Sequence, residues 1–270
     1  MLLFSPRLCA SAVRAFFKMM HVSDKEPMNT PALDIDCLAK RYGKLPVLES
    51  LTLRIARGEC FGLVGMNGAG KTTLIKCLLD FCDINGGQIR LFDVPHSETR
   101  ARKPLAYLPE SFLPPHSLTG RDFVKYMLAL REQLYDEAAT RAMCAALDLD
   151  AQALDRQART YSKGMTQKLG LAAGFLSQAE LFILDEPMSG LDPKARALLK
   201  RQFAALKQSG KTLFFSSHVL ADVEEICDRM AILHAGRLRF IGTPTECRTH
   251  YQADSLEAAY LAAIEERNYA

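Results

Sequence analysis

Gly65-Met66-Asn67-Gly68-Ala69-Gly70-Lys71-Thr72 joins a short apolar strand, Glu59–Val64, to a helical stretch, Lys71–Leu79. It fits the phosphate-loop pattern G-x-x-x-x-G-K-[ST] and lies where that loop must lie, between a strand and the start of a helix. Gly65, Gly68 and Gly70 let backbone amides turn inward around phosphates without a Cβ clash, and the helix N-terminus adds positive potential. Lys71 is expected to neutralise β- and γ-phosphates, and Thr72 to offer its hydroxyl to Mg²⁺. Asn67 and Thr73 belong to the same expected contact set.

More than a hundred residues downstream, Leu181-Phe182-Ile183-Leu184-Asp185-Glu186 supplies the complementary half. Four apolar residues ending in two carboxylates describe a buried strand that delivers acids to the C-terminal edge of a sheet, where ligands bind in open α/β folds. Asp185 is expected to hold Mg²⁺ through water, and Glu186 to act as general base on the attacking water. Together the two stretches specify a nucleotide triphosphatase of the phosphate-loop type without saying which kind.

Around these anchors, apolar strands alternate with helices. Leu33–Leu38 and Val47–Ile55 read as strands about Gly43, Gln88–Phe92 as a strand after the turn Asp83–Gly87, and Lys211–Ser216 as another. Met230–Leu233 and Leu238–Ile241 pair about Gly236. Helices are expected at Thr119–Leu130, Asp136–Leu147, Gly164–Ser177, Pro193–Gln208 and Ser255–Glu266, with a Pro-rich patch (Pro109, Pro114, Pro115) before the first of them. Such alternation implies a mainly parallel sheet covered on both faces, with a helical lobe inserted at about residues 116–178.

Composition narrows the class. The 270 residues carry 34 basic and 31 acidic side chains, a net charge of +3, which is too small a surplus to point to a nucleic-acid binder. Eight cysteines, none in a Cys-x-x-Cys pair, read as reduced and mostly buried thiols of a cytosolic protein. No apolar run approaches the roughly 18 to 20 residues needed to cross a bilayer, so membrane involvement is expected through a partner. Residues 1–30 differ from the rest: Arg7, Arg14 and Lys18 precede the first acid, Asp24. The segment is open to three readings: a targeting peptide, an amphipathic surface helix with Val13, Phe16, Phe17 and Met20 at helical spacing, or a disordered extension before Met28.

The kind of triphosphatase is decided by Tyr161-Ser162-Lys163-Gly164-Met165-Thr166-Gln167-Lys168, just upstream of the aspartate strand. It resembles the signature of ATP-binding cassette (ABC) ATPases, Leu-Ser-Gly-Gly-Gln, with Ser162 and Gly164 in the defining places. Further elements occur in the family's order: Tyr42 resembles the aromatic residue that stacks on adenine, and Tyr107-Leu108-Pro109-Glu110 sits where the Q-loop belongs. Ser189-Gly190-Leu191-Asp192 resembles the D-loop, and His218 the switch histidine. Lys163 and Met165 replace a glycine and a glutamine of the consensus, and Glu110 replaces the usual glutamine, placing a carboxylate near the metal. These variants, and the final Asp254–Ala263 helix, resemble the branch whose ATPase and permease are separate chains.

The resemblance, over about residues 31–245, implies an α/β fold: a RecA-like phosphate-loop core with an antiparallel β subdomain and an inserted helical subdomain. Residues 246–270 would form a C-terminal helical tail. It implies ATP and Mg²⁺ as ligands and a head-to-tail dimer with a second copy. There Ser162 and Gly164 of one subunit close on the γ-phosphate of the other, His218 contacts it, and Asp192 crosses the interface. It further implies an integral membrane permease as partner and a cytoplasmic, peripheral place at the membrane. The alternative is a non-transport ABC ATPase acting on nucleic acid or ribosomes. That class carries long coiled coils or two cassettes in one chain, and neither occurs here. A GTPase is not supported, because no Asn-Lys-x-Asp guanine-reading sequence occurs.

Overall fold

The computed structural model describes residues 30–265, and its centre is set by short strands buried on both faces. The expectations for the basic N-terminal segment fall on residues 1–29 and lie outside the described residues. Chain order begins with two long strands, β1 (Leu33–Tyr42) and β2 (Leu45–Ile55), then the short β3 (Cys60–Val64). Helix α1 (Lys71–Leu78) follows the glycine loop, and β4 (Gly86–Leu91), β5 (Val94–Pro95) and β6 (Leu105–Leu108) come next. Between β6 and β7 (Leu181–Leu184) lie α2 (Gly120–Ala129), α3 (Glu137–Ala146) and α4 (Lys163–Leu176). The remainder is α5 (Pro193–Gln208), β8 (Thr212–Ser217), α6 (Leu220–Ile226), β9 (Arg229–His234), β10 (Arg237–Gly242), α7 (Pro244–His250) and α8 (Leu256–Glu265).

Two sheets result. One has the order β10-β9-β3-β8-β7-β6, parallel throughout except for the β9–β10 hairpin; the other, β2-β1-β4-β5, is antiparallel. The period of two along a strand divides the buried residues between two cores. Phe61, Leu63, Ile183 and Phe214 face a core shared with α1 and the antiparallel sheet, which contributes Leu33, Ile35 and Leu53. Val64, Phe182, Leu184 and Phe215 face the other core, shared with the helices, where Phe175 meets Phe182 edge-on at 5.7 Å. With both faces covered, β3, β7 and β8 are apolar without alternation. Each fully buried phenylalanine stabilises this arrangement by roughly 1.5–3 kcal/mol.

The helical block between β6 and β7 is tied down by arginines. Arg131, just past α2, donates to the carbonyls of Lys103 (2.9 Å) and Ser177 (3.0 Å), holding the block against the entry to β6. Within the block Arg121 bridges Glu137 and Asp155.

Most expected elements fall within a few residues of their observed ends, and four are additional, among them the two-residue β5. β6 is four residues long between Pro104 and Pro109, too short for periodicity to register. Helices α6 and α7 are seven residues each, and α7 announces itself only through its cap: Thr243 accepts from the Glu246 amide while Glu246 accepts in return. α4 begins and ends one residue earlier than its sequence pattern suggests.

Candidate functional site

The loop after β3 and the ends of β6 and β7 converge on one cavity of about 290 Å³. Asn67, Gly68, Gly70, Lys71, Thr72 and Thr73 form one wall, and Glu110, Asp185 and Glu186 the other. Val47 and Met66, which carry no motif, complete the rim. The loop's shape needs glycine at two points. Gly68 and Gly70 have φ of 84° and 111°, in the left-handed region, and a Cβ on Gly70 would lie 2.8 Å from Leu48. Gly70 is also the N-cap of α1, and no side chain accepts a hydrogen bond from the first amides of that helix. Those donors are left for an anion.

Three of the charged groups facing the cavity are almost fully buried, Lys71 at 6% exposed, Asp185 at 2% and Glu186 at 7%, while Glu110 is exposed. The Lys71 ammonium donates to the Gly65 carbonyl at 2.6 Å and lies 3.4 Å from Glu186 Oε1. That second contact is a charge attraction and not a hydrogen bond, for Glu186 Oε1 is buried with no hydrogen-bond partner. The Thr72 hydroxyl donates to Asp185 Oδ2 at 2.9 Å. His218 Nδ1 lies 2.9 Å from the other oxygen of Glu186.

Sequence reasoning missed the residue that joins these groups. The Ser216 hydroxyl donates to Asp185 Oδ1 at 2.6 Å and accepts from the Glu186 amide at 2.9 Å. The link holds Glu186 at φ 49°, a left-handed conformation that costs a non-glycine residue roughly 1–3 kcal/mol. Gln167 on α4 also acts unseen: its side-chain amide donates to the Pro187 carbonyl at 3.0 Å, supporting the turn after Glu186. The one available signal was Ser216-Ser217 preceding His218. On the edge strand β6, Tyr107 has its phenol pushed up to about 12 by burial and by the nearby Asp185 charge.

Tyr42 does not line the cavity. Tyr42 is 48% exposed, with its hydroxyl near Cys82 and Thr73; Cys82, foremost, holds the phenol above its ordinary value. Ser162, Gly164 and Asp192 do not line it either. The Ser162 hydroxyl accepts from the Met165 amide at 3.2 Å and caps α4, while Asp192 caps α5 by accepting from the Ala195 amide at 2.9 Å. Gly164 packs against the Gly190 carbonyl, and Lys163 donates to the Ser189 hydroxyl at 3.2 Å. The signature and the Ser189–Asp192 turn therefore form a second, contiguous surface.

The donor chemistry of the cavity suits a hard cation carried by phosphates. Thr72 and Asp185 present oxygen ligands side by side, and Glu110 and Glu186 share the wall. Among the described residues no group of three His, Cys, Asp or Glu could cage a metal without further ligands. Mg²⁺ fits such a site, since it binds through one or two protein oxygens together with phosphates and water.

Comparison with known proteins agrees with this geometry. A family model described as ABC transporter matches residues 48–189. The chain is 42% identical over 206 residues to an ABC transporter ATP-binding protein of Synechocystis sp., covering 75% of this chain and 58% of the relative. It is 32% identical over 232 residues to the Nod factor export ATP-binding protein I of Ralstonia nicotianae, covering 82% and 70% respectively. A solved structure titled as the ATP binding subunit of an ABC transporter superposes with a TM-score of 0.76 at 30% identity, covering 86% of this chain and 99% of that one.

Proposed function

Because the chain belongs to the ABC transporter family, we propose that it binds and hydrolyses MgATP to drive translocation through a separate membrane permease, in the direction of export. One observation carries the chemistry: an uncapped helix end, a buried lysine and two buried carboxylates face the same cavity. The export reading rests on the Nod factor relative, and transport is favoured over a nucleic-acid role by the relatives' printed names. Among the described residues no helix is long and apolar enough to cross a membrane; the peripheral cytoplasmic place is part of the proposal. We assign the ATPase domain to residues 31–245.

In this account the amides of Gly68 to Thr73 cradle the phosphates, and Lys71 exchanges the Gly65 carbonyl for phosphate oxygens. Thr72, Asp185 and Glu110 would hold Mg²⁺, which when bound neutralises charge on the β- and γ-phosphates. Glu186 Oε1, buried and lacking a hydrogen-bond partner, accepts the proton of the attacking water. Ser216 fixes the Glu186 backbone, and His218 fixes its second oxygen while facing the γ-phosphate. Tyr42 stacks on adenine, reaching the site beside Thr73.

The second surface completes the site of another copy. The amides that open α4, with Ser162 and Gly164, close on the γ-phosphate held by the partner, and Asp192 crosses between the two. Lys71→Ala tests the cavity. Calorimetric titration should show ATP affinity reduced by about a hundredfold, the cost of roughly two charged hydrogen bonds. Unchanged affinity would refute the assignment.

A further inference from the structure

Cys77 lies in the last turn of α1, the helix that starts at the glycine loop, and Cys82 follows five residues later. Asp80, at φ 60°, turns the chain back on itself, and the two sulfurs come to 3.6 Å from each other. Cys77 is buried and Cys82 is half-buried, so a small solute reaches Cys82 first. Three further side chains enclose the pair. The Tyr42 hydroxyl lies near Cys82, which foremost raises its phenol, and near Thr73, which lines the nucleotide cavity. Lys40, only 7% exposed, donates to the Asp83 carbonyl and holds its ammonium 4.8 Å from the centre of the Tyr42 ring. Its charge favours the Cys77 thiolate, although burial wins and pushes that thiol up to about 12. Two thiols in contact, one accessible and one sheltered beside a cation, are arranged to react with each other once the outer one is oxidised.

We propose that Cys77 and Cys82 form a peroxide-sensitive dithiol whose closure to a disulfide withdraws Cys82 from the Tyr42 hydroxyl and weakens ATP binding. The Cys82 thiolate attacks one oxygen of hydrogen peroxide; the O–O bond breaks and hydroxide leaves, giving a sulfenic acid at Cys82. Cys77 sulfur then attacks Cys82 sulfur, the S–O bond breaks, and the departing hydroxide takes the Cys77 proton to leave as water. Two thiols and one peroxide become one disulfide and two waters, with two electrons passing from sulfur to oxygen. A dithiol reductant reverses the step by exchange. Oxidation withdraws Cys82 from beside the phenol, so Tyr42 is less firmly placed at the edge of the cavity. Affinity should fall about two- to tenfold, the range of one lost hydrogen bond. The inference rests on ATP as the ligand of the cavity.

A second thiol contact provides an internal control. Cys227 lies near Cys60 and is pushed well above its ordinary value, by burial first and by Cys60 second; this pair packs in the other core. The test uses the full chain, treated with hydrogen peroxide and then with dithiothreitol. Peptide mass mapping locates disulfides, and calorimetry with ATP reads affinity at each stage. The expected result is a Cys77–Cys82 disulfide appearing before any link between Cys60 and Cys227, a two- to tenfold weaker ATP affinity, and recovery on reduction. Cys82→Ser, which keeps an acceptor for Tyr42, should bind ATP like the reduced chain and stay insensitive to peroxide. The wild-type comparison with and without reductant gives the same reading should that variant fold poorly. Oxidation elsewhere with Cys77 and Cys82 still reduced, or a Cys77–Cys82 disulfide with unchanged affinity, overturns the proposal and leaves the ATP reading intact. A reduced chain that does not bind ATP overturns both.

Discussion

Helix α1 and helix α4 both present their N-termini at positions expected to meet phosphate, yet their first turns are finished differently. α1 starts from Gly70 with no side-chain acceptor for its amides, and Lys71 at its head turns inward to the Gly65 carbonyl. α4 starts from Ser162, whose hydroxyl already takes the Met165 amide, and Lys163 at its head reaches out to Ser189. The first end faces a cavity walled by Asp185 and Glu186; the second does not line that cavity. The first end has Lys71, Thr72, Asp185 and Glu186 gathered around it within a single chain. The other is capped by the Ser162 hydroxyl, and in the proposed arrangement it meets its anion on a second copy.

That contrast can be broken most sharply at Glu186. Glu186→Gln keeps the shape and removes the proton acceptor, so turnover of MgATP should fall by about two decades or more while ATP binding persists. Normal turnover would remove Glu186 from the chemistry. Ser216→Ala probes the scaffold of the same wall. It deletes two hydrogen bonds and leaves the left-handed Glu186 unsupported, so the unfolding free energy should drop by about 1–3 kcal/mol, with slower hydrolysis. Unchanged urea midpoint and turnover would show that the serine is incidental.

The α4 end should respond in a different way. Ser162→Ala loses one cap, worth about 1 kcal/mol. Binding of ATP to the single chain should be unaltered, while ATP-dependent self-association weakens. A loss of ATP affinity in the isolated chain would erase the distinction between the two helix ends. Glu110→Gln is the mildest change. Titrating Mg²⁺ at fixed ATP should shift the metal midpoint with little change in ATP affinity; an unaltered midpoint would remove Glu110 from the metal's surroundings.

What could be read from the amino-acid order follows the same division. Gly65–Thr72 and Leu181–Glu186 were legible because strand, loop and chemistry are contiguous, and apolar strands alternating with helices implied the sheet covered on both faces. Tyr161–Lys168 was legible as a pattern, but its purpose came only with a second copy in mind. Ser216 was missed because its partners are 30 and 31 residues away in sequence and meet it only when β7 and β8 pair. Gln167 was missed for a similar reason, since a glutamine on an apolar helix gives no hint of the Pro187 carbonyl it serves. The backbone strain at Glu186 leaves no trace in residue type. Strand β6, pinned between two prolines, is defined by its register with β7 and not by any local preference.

The proposal that the chain holds one phosphate-binding cavity and the surface that closes the cavity of a second copy is tested most directly by the Glu186→Gln chain. Bound ATP that is not hydrolysed should keep two copies closed on each other. Size-exclusion chromatography in saturating MgATP should show this variant as a dimer and wild type mostly as a monomer, with Ser162→Ala in the Glu186→Gln background returning it toward monomer. A Glu186→Gln chain that binds ATP, fails to hydrolyse it and still elutes as a monomer would contradict the shared site.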